Sequence, residues 1–213
     1  MSAEPSAECR VPNMIAIIDY GMGNLRSVQK ALENVGAEAR VVSRPDDVLK
    51  ADKLVLPGVG ACKPAMDKLT ELGLTDAVRQ FVSFKKPFLG ICLGFQLLFD
   101  SCTEGGLVKT LGIIPGTVER FPSSVKVPQM GWNTLQVTPN GAPLLAGLNG
   151  EPYVYFCHSY YAKPVNDTVV ATWTDYGIRY ASSICSGNIW GVQFHPEKSQ
   201  ACGLKLLDNF VKA

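Results

Sequence analysis

The sequence lacks an excess of charge of either sign. Its 20 lysines and arginines nearly balance its 19 aspartates and glutamates, which leaves a formal net charge of +1. Nucleic-acid-binding domains usually concentrate positive charge, so this balance argues against such a partner. No apolar run approaches the roughly 20 residues of a membrane helix. The first residues lack the apolar core of a signal peptide, and we expect residues 1–13 to form a flexible N-terminal extension of a cytoplasmic protein.

The seven cysteines lack any pattern typical of a disulfide framework or a metal site. Their number is odd, they are scattered, and no two of them form a C-x-x-C pair. Free thiols of this kind fit a reducing compartment. Since no pattern of metal ligands is present, we expect neither a metal nor a cofactor. Apart from Cys92, the cysteines are interpreted as small hydrophobic residues or surface thiols: Cys9, Cys62, Cys102, Cys157, Cys185 and Cys202.

The remaining cysteine, Cys92, lies in a segment with a clear chemical pattern. An apolar run ends in Gly90-Ile91-Cys92-Leu93-Gly94, and a helical pattern follows directly. This is the thiol form of the G-x-S-x-G nucleophile elbow, where a strained nucleophile needs small neighbours. A helix start also favours a thiolate and offers free N–H groups. We therefore predict that Cys92 is a covalent nucleophile.

Histidine is scarce, which narrows the choice of a base for this nucleophile. The chain has only His158 and His195. His195 follows a predicted strand, and Glu197 comes two residues later, where its carboxylate can orient the imidazole and stabilise its charged form. His158 is the alternative base. Because no acidic residue follows His158 closely, a structural or substrate-lining role is favoured for it.

The first half of the chain alternates between apolar strands and amphipathic helices. Strands are predicted at residues 14–19, 39–42, 53–56 and 87–91. A helix is predicted over residues 25–35, and one long helical stretch through residues 66–81. This alternation is typical of a parallel sheet covered by helices on both faces. We expect an α/β fold in which residues 14–213 form one domain.

The second half changes character near residue 107, where short β segments separated by turns become frequent. Such segments are predicted at residues 111–114, 116–121, 134–138, 153–156 and 169–173. Residues 180–184 and 189–193 should form a hairpin, and a closing helix is predicted over residues 204–211. We therefore expect additional antiparallel strands in this half.

Three segments that follow predicted strands should meet at one edge of the sheet, because ligands of open α/β sheets bind beyond the carboxyl ends of the strands. These segments are residues 19–21, the turn Pro57-Gly58-Val59-Gly60, and Cys92. The glycines of the turn leave the N–H groups of Val59 and Gly60 approachable. One of them could complete an oxyanion hole with the N–H of Leu93.

These motifs resemble those of the class I glutamine amidotransferases, which hydrolyse glutamine with a Cys-His-Glu triad. The G-x-C-x-G elbow, the P-G-x-G turn and the late His-Pro-Glu segment carry the resemblance. IDYGMGNL (18–25), KVPQMGWN (126–133) and YFCHSYY (155–161) narrow it to the glutaminase subunits of imidazole glycerol phosphate synthase. It covers roughly residues 14–213 and implies a flavodoxin-like fold, with a mostly parallel central sheet flanked by helices.

The resemblance implies roles for the matching residues. Cys92 attacks the glutamine amide, His195 transfers protons, and Glu197 orients His195. The oxyanion strand, which can flip a peptide on activation, matches Gly58, Val59 and Gly60, with the N–H of Leu93 opposite. The glutamine-binding positions match Gly60, Gln96, Glu104, Ser159 and Tyr160. From the residues alone, Gln96 could equally be an exposed helix residue and Glu104 a solvated loop charge.

The resemblance also implies a heterodimer with a (β/α)8-barrel cyclase subunit, which receives ammonia through a tunnel. That cyclase makes imidazole glycerol phosphate and aminoimidazole carboxamide ribotide in histidine biosynthesis. The partner-facing positions match Asn24, Trp132, Asn133 and Lys198, although Trp132 could equally be a core residue. At one departure, Gln129 stands where histidine is common in the family. This puts a proton-dependent role at that position in doubt but leaves hydrogen bonding possible.

Three alternatives remain open from the sequence. The same chemistry could serve another synthase, for pyridoxal phosphate, purine, pyrimidine or anthranilate synthesis, although residues 19–25 and 126–133 argue against this. The chain could be a non-catalytic subunit, which the intact set of Cys92, His195 and Glu197 opposes. It could also be a stand-alone cysteine hydrolase, which predicts high activity without a partner.

Overall fold

The computed structural model describes residues 14–141, 143–148 and 150–213, so the extension expected at residues 1–13 lies outside the described residues. The strands of the first half are β1 (Ile15–Ile18), β2 (Ala39–Val42), β3 (Lys53–Leu56) and β4 (Phe88–Ile91). The helices between and after them are α1 (Leu25–Asn34), α2 (Pro45–Lys50), α3 (Cys62–Glu71), α4 (Leu74–Ser83) and α5 (Leu93–Gln96).

The strands of the first half lie in the order β2, β1, β3, β4 and are all parallel. β1, β3 and β4 are buried along their whole length, as expected of parallel strands covered on both faces. Side chains of α2, α3 and α4 pack in one hydrophobic cluster. Side chains of α1 pack in a second cluster, together with those of the closing helix.

The second half is mainly antiparallel. Its strands are β5 (Ser101–Cys102), β6 (Val108–Lys109), β7 (Gly116–Arg120), β8 (Gln129–Thr134), β9 (Gln136–Val137), β10 (Tyr153–His158), β11 (Tyr160–Pro164), β12 (Val170–Asp175), β13 (Arg179–Ser186) and β14 (Ile189–Val192). The closing helix is α6 (Gln200–Lys212). Among the described residues, no helix is long and apolar enough to cross a membrane.

β14 connects the two halves of the sheet. It pairs in parallel with β4 on one side and antiparallel with β13 on the other. The sheet continues beyond β13 through β11, β7, β5 and β6, while β12 pairs with β13 and β9. β8 and β10 form a separate antiparallel pair. The predicted fold class, a mostly parallel sheet flanked by helices with antiparallel strands added in the second half, is therefore confirmed.

The helix predicted through residues 66–81 is instead two helices. Gly73 adopts a left-handed φ of +68° between α3 and α4, which ends one helix and redirects the chain. The sequence analysis also missed α2, a short helix with Pro45 in its first turn, where the missing N–H of proline costs nothing.

The strand predicted at residues 111–114 does not form. The backbone N–H groups of Leu111, Gly112 and Ile113 instead donate to carbonyl oxygens of residues 97–99, at 2.8–2.9 Å. The apolar segment therefore folds back on the chain that follows the elbow. The strand predicted at residues 134–138 is also wrong in its bounds, because β8 ends at Thr134 and β9 occupies Gln136–Val137.

A buried lysine fixes the closing helix to the centre of the sheet. Lys53 begins β3 and is 6% exposed. Its Nζ donates to the backbone oxygens of Phe210, Val211 and Ala213 at 3.1, 2.6 and 2.7 Å. Carbonyls in the last turn of a helix lack the usual i+4 donors, and the ammonium of Lys53 supplies donors to these three oxygens. Burial lowers the pKa of Lys53 from its ordinary value.

Candidate active site

The tight turn from strand to helix predicted at Cys92 is present, between β4 and α5. Cys92 directly follows β4 and has φ +54° and ψ −108°, a conformation that a non-glycine residue adopts only under strain. Gly90 and Gly94 flank the cysteine, and at both positions neighbouring backbone atoms lie too close to admit a side chain. A methyl group on Gly94 would overlap the carbonyl oxygen of Leu56, and one on Gly90 would lie 2.9 Å from the carbonyl oxygen of Gly94. The structure thus has no room for side chains beside the cysteine.

His195 is brought to Cys92 by the pairing of β14 with β4. Parallel neighbours end at the same edge of a sheet, and Cys92 and His195 follow the ends of these two strands. The register continues one residue beyond β4, because the N–H of Cys92 donates to the carbonyl of Val192 at 2.8 Å. Cys92 and His195, which are about 100 residues apart in sequence, therefore share one site.

His195 and Glu197 form a buried pair. Nδ1 of His195 lies 2.9 Å from Oε1 of Glu197, and their side chains are 6% and 1% exposed. Burial opposes the charged imidazole, but hydrogen bonds to Cys92 and Glu197 outweigh it and raise the pKa of His195 to about 10. Oε2 of Glu197 is buried without a hydrogen-bond partner. The pair therefore favours an imidazolium beside the cysteine sulfur.

The side chains of Gln96 and Gln193 are joined by a hydrogen bond, and Gln193 in turn reaches the sulfur of Cys92. Nε2 of Gln193 lies 3.8 Å from Sγ of Cys92. Nε2 of Gln96 donates both to Oε1 of Gln193 and to the carbonyl of Tyr160, each at 2.9 Å. Because Gln96 engages the oxygen of the Gln193 amide, the nitrogen of that amide is directed at the sulfur. Gln96 is 5% exposed, so the alternative of an exposed helix residue is wrong.

Both ring nitrogens of His158 lie close to groups other than Cys92. Its Nδ1 lies 2.7 Å from the carbonyl of Tyr160, and its Nε2 lies 3.3 Å from the hydroxyl of Tyr180. Burial lowers the pKa of His158 to about 4, so the ring is neutral near neutral pH. The Tyr180 hydroxyl also donates to Oε1 of Gln129 at 2.8 Å. Gln129, 3% exposed, therefore supports the wall of the site from the interior.

Residues 58–60, the predicted oxyanion strand, lie against the turn at Cys92. The N–H of Leu93 points at the carbonyl oxygen of Gly58, at 3.4 Å, so a peptide oxygen occupies the direction from which an oxyanion would accept that hydrogen. The Tyr20 hydroxyl donates to the carbonyl of Pro57 at 3.1 Å. Residues 19–21, 57–60 and 92 thus meet at one edge, as expected.

A cavity of about 340 Å³ opens over Cys92. Its lining includes ten of the residues predicted for the site: Val59, Gly60, Cys92, Leu93, Gln96, Glu104, Ser159, Tyr160, His195 and Lys198. Pro128, Cys157 and His158 complete it. Gly58 and Glu197 are not among the lining residues. The volume suits a small polar ligand such as a free amino acid.

The residues predicted to face a partner do not all lie together in this cavity. Trp132 is 38% exposed and stacks on Tyr153, with ring centroids 6.0 Å apart. Lys198 is exposed, and its Nζ lies 5.7 Å from the ring of Tyr155. Asn24 is exposed. Asn133 uses its amide within the chain, donating to the carbonyl of Asp175 at 2.9 Å.

Comparisons with known proteins agree with this geometry. Residues 16–213 match the glutamine amidotransferase class-I family. This chain belongs to that family. The amidotransferase is 50% identical over 204 residues to imidazole glycerol phosphate synthase subunit HisH of Syntrophotalea carbinolica, covering 92% of this chain and 98% of that protein.

Two further HisH subunits show the same level of similarity to the amidotransferase. The subunit of Moorella thermoacetica is 50% identical over 196 residues, covering 92% of this chain and 93% of that protein. The subunit of Methylococcus capsulatus is 46% identical over 208 residues, covering 93% and 95%. At this identity and coverage the amidotransferase belongs to the HisH group.

The fold is shared more widely. A crystallised glutamine amidotransferase superimposes with a TM-score of 0.73 at 20% identity, covering 93% of this chain and 99% of that one. A chain of PurLQS from Thermotoga maritima gives 0.73 at 20% identity, covering 93% and 97%. At such identities the agreement concerns the fold alone.

Sequence reasoning missed Gln193. A strand was predicted up to residue 193, and alternate residues of a strand share a face. Two residues before His195, Gln193 could therefore have been placed on the side of Cys92. Tyr20 was expected at this edge with residues 19–21, but its hydrogen bond to the carbonyl of Pro57 was not, because that bond depends on β1 and β3 being neighbours in the sheet.

Proposed function

We propose that the amidotransferase is the glutaminase subunit of an imidazole glycerol phosphate synthase. It hydrolyses L-glutamine to L-glutamate and ammonia, and it passes the ammonia to a (β/α)8-barrel cyclase subunit in a heterodimer. The cyclase uses it to make imidazole glycerol phosphate and aminoimidazole carboxamide ribotide in histidine biosynthesis. The observation that carries the chemistry is the buried pair of His195 and Glu197 beside the strained Cys92.

The reaction uses the cysteine as a covalent nucleophile. The Cys92 thiolate attacks the side-chain carbonyl carbon of glutamine, and the carbonyl oxygen takes the negative charge. The C–N bond then breaks while His195 gives its proton to the nitrogen, which releases ammonia and leaves a γ-glutamyl thioester. Water attacks this thioester with His195 as base, which releases glutamate. Glu197 keeps the imidazole oriented and stabilises its charge.

The oxyanion needs the N–H of Leu93 as a hydrogen-bond donor, but in the structure the carbonyl of Gly58 faces that N–H. The Gly58 peptide must therefore turn away before an oxyanion can accept from Leu93 and from Val59 or Gly60. Removing a single oxyanion donor costs about 10²–10³ in rate. We therefore expect low basal activity without the partner, in contrast to a stand-alone cysteine hydrolase.

Glutamine binding is assigned to the polar groups of the cavity: Gly60, Gln96, Glu104, Ser159 and Tyr160. Glu104 supplies a carboxylate for the ammonium group of the substrate. Gln96 and Tyr160 are already joined by a hydrogen bond of 2.9 Å, which fixes one wall before substrate arrives. A preformed wall lowers the entropy cost of binding.

The partner surface is assigned to the side of the β8–β10 pair that carries Trp132, with Asn24, Asn133 and Lys198. Met130 and Tyr153 add exposed apolar area there, at 63% and 53% exposure. This surface is linked to the triad, because the N–H of His195 donates to the carbonyl of Tyr155 at 2.9 Å. Free buried thiols support a cytoplasmic location.

The decisive test is glutaminase kinetics with and without the cyclase and its nucleotide ligand. Glutamate release should rise by about 10²-fold or more when both are present, because one restored oxyanion donor alone is worth that much. Co-purification with subunits of other synthases is the matched comparison. Glutamine-dependent activity gained only with a synthase outside histidine biosynthesis would replace this assignment by the alternative, a class I glutaminase serving that synthase.

Cys92→Ala separates the glutaminase from its support of the cyclase. The variant should lose glutamine hydrolysis, because Cys92 is the cysteine hydrogen-bonded to His195, while the complex still makes imidazole glycerol phosphate from added ammonium salts. The two rates are measured on the same preparation. Glutamine hydrolysis retained by the variant would exclude Cys92 as the nucleophile.

A further inference from the structure

Two cysteines that the proposed reaction does not use lie together beside the substrate cavity. Cys62 is the first residue of α3, Cys102 is in β5, and Glu104 follows two residues later. The two Sγ atoms and a carboxylate oxygen of Glu104 all lie within 4.8 Å of one another. Both cysteines are completely buried, and Glu104 lines the cavity. The fold thus gathers three ligand atoms from separated segments.

We propose that Cys62, Cys102 and Glu104 bind a thiophilic divalent cation such as Zn²⁺, and that the bound cation inhibits glutamine binding by drawing Glu104 out of the cavity. The inhibitory part rests on the proposed role of Glu104 in holding glutamine. The binding part does not. The absence of a C-x-x-C pair led us to expect no metal site, but that pattern concerns only cysteines close together in sequence. Cys62 and Cys102 are far apart in sequence and meet only in the fold.

The distances suit a tetrahedral cation. With Zn–S bonds of about 2.3 Å and a Zn–O bond of about 2.0 Å, ligand atoms lie about 3.5–3.8 Å apart. Ligand atoms already within 4.8 Å need shifts of about 1 Å or less to reach this spacing. Two thiolates and one carboxylate are a soft donor set that favours Zn²⁺ over Mg²⁺ or Ca²⁺.

Glu104 connects this cluster to the substrate cavity. Oε2 of Glu104 accepts a hydrogen bond from the backbone N–H of Cys62 at 3.0 Å. Glu104 also lines the cavity over Cys92. A cation on the two sulfurs would hold the carboxylate on the Cys62 side. Glutamine would then lose an ionic contact, so inhibition should raise KM more than it lowers kcat.

Other thiols must be removed from the measurement. Cys92 beside His195 and Cys157 in the cavity wall can also bind soft metals. The binding test therefore uses the full chain carrying Cys92→Ala and Cys157→Ser, kept reduced and titrated with Co²⁺ as a spectroscopic substitute for Zn²⁺. Since the test measures no turnover, its result does not depend on whether the proposed function is correct.

The expected result is a thiolate-to-cobalt charge-transfer band that saturates at one Co²⁺ per chain. Adding Cys62→Ala or Cys102→Ala should weaken binding by more than about tenfold, since even the loss of an outer-sphere partner costs that much. Glu104→Gln, which keeps both sulfurs, should weaken binding while retaining the band. Cys185→Ala is the matched control for a buried cysteine and should leave the titration unchanged.

Two results would overturn the proposal. One is no saturable band in the Cys92→Ala, Cys157→Ser chain while its circular dichroism shows a native fold. The other is a band that survives both Cys62→Ala and Cys102→Ala. In the complete complex, Zn²⁺ should raise the KM for glutamine without affecting the ammonia-dependent reaction, and Cys102→Ala should remove this effect. Equal Zn²⁺ inhibition of the Cys102→Ala complex would contradict the inhibitory role.

Discussion

At the scale of single residues, the reactivity of the site depends on which groups surround Cys92 and His195. The sequence pointed to both residues, because the elbow motif is local and the chain has only two histidines as candidates for the base. It could not show that a carbonyl faces the N–H of Leu93, since the orientation of the Gly58 peptide depends on packing against Tyr20 and the elbow. It also could not show how Gln96 directs Gln193.

Glu197→Gln should lower the pKa of His195 from about 10. In the wild type the folded pKa exceeds the ordinary 6.5, so its contribution to stability is complete below pH 6.5 and is lost as the pH rises through about 10. The variant should show a smaller loss over that range in urea unfolding. Imidazole NMR measures the pKa directly.

The second histidine is an internal control for that titration. Burial lowers the pKa of His158 to about 4, so its signals should stay constant from pH 6 to 10 in both proteins. The same variant should lose about 10²–10⁴ in glutaminase kcat/KM. An unchanged titration of His195 in Glu197→Gln would show that the carboxylate does not hold the imidazolium.

Gln193→Leu tests the amide that approaches the cysteine sulfur. Losing the N–H 3.8 Å from Sγ removes a donor to the thiolate, so alkylation of Cys92 by iodoacetamide at fixed pH should slow, and glutaminase activity should fall. Gln136→Leu, a change at an exposed glutamine of β9, is the control. Equal alkylation rates in the two variants would leave Gln193 without this role.

At the scale of elements, β1, β3 and β4 were predictable because each is a short apolar run that is buried on both faces. The second half was less so. β5, β6 and β9 have two residues each, and only their partners in the sheet define them. The apolar segment at residues 111–114 shows the same limit, since tertiary hydrogen bonds to residues 97–99 decide its form.

The elbow depends on glycine for packing as well as for backbone freedom. Gly94→Ala should destabilise the fold by about 3 kcal/mol or more, because its methyl group would overlap the backbone oxygen of Leu56. Gly23→Ala is the matched control. Its methyl group would meet the end of the flexible Leu25 side chain at 3.2 Å and Cγ of Pro57 at an ordinary contact distance of 3.8 Å, so the cost should stay below about 1 kcal/mol. Urea unfolding compares the two.

At the scale of the whole molecule, the aromatic face of the β8–β10 pair is the feature that a monomer would not be expected to expose. Trp132, Tyr153 and Met130 lie there, beside an open cleft of about 680 Å³ that Trp132 and Tyr153 help to line. Sequence analysis left Trp132 undecided between core and surface, because burial depends on which elements cover β8. The structure places it at the surface.

Trp132→Ala should weaken binding of the barrel cyclase by about 2 kcal/mol or more, roughly 30-fold in Kd, as expected for a central aromatic anchor. Val165→Ala, at a residue 79% exposed, is the control for loss of exposed apolar area and should bind normally. Calorimetry gives both Kd values, and circular dichroism confirms that the variants are folded. Equal affinities would move the interface elsewhere.

Trapping the covalent intermediate is the sharpest test of the proposal that Cys92 carries the glutamyl group during ammonia release. The complex, turning over ¹⁴C-glutamine, is quenched in acid, digested and analysed by mass spectrometry. We expect label on the peptide that contains Cys92, as a thioester that hydroxylamine releases. Label on a different residue, or rapid hydrolysis with no label on any peptide under conditions that preserve a synthetic thioester, would contradict it.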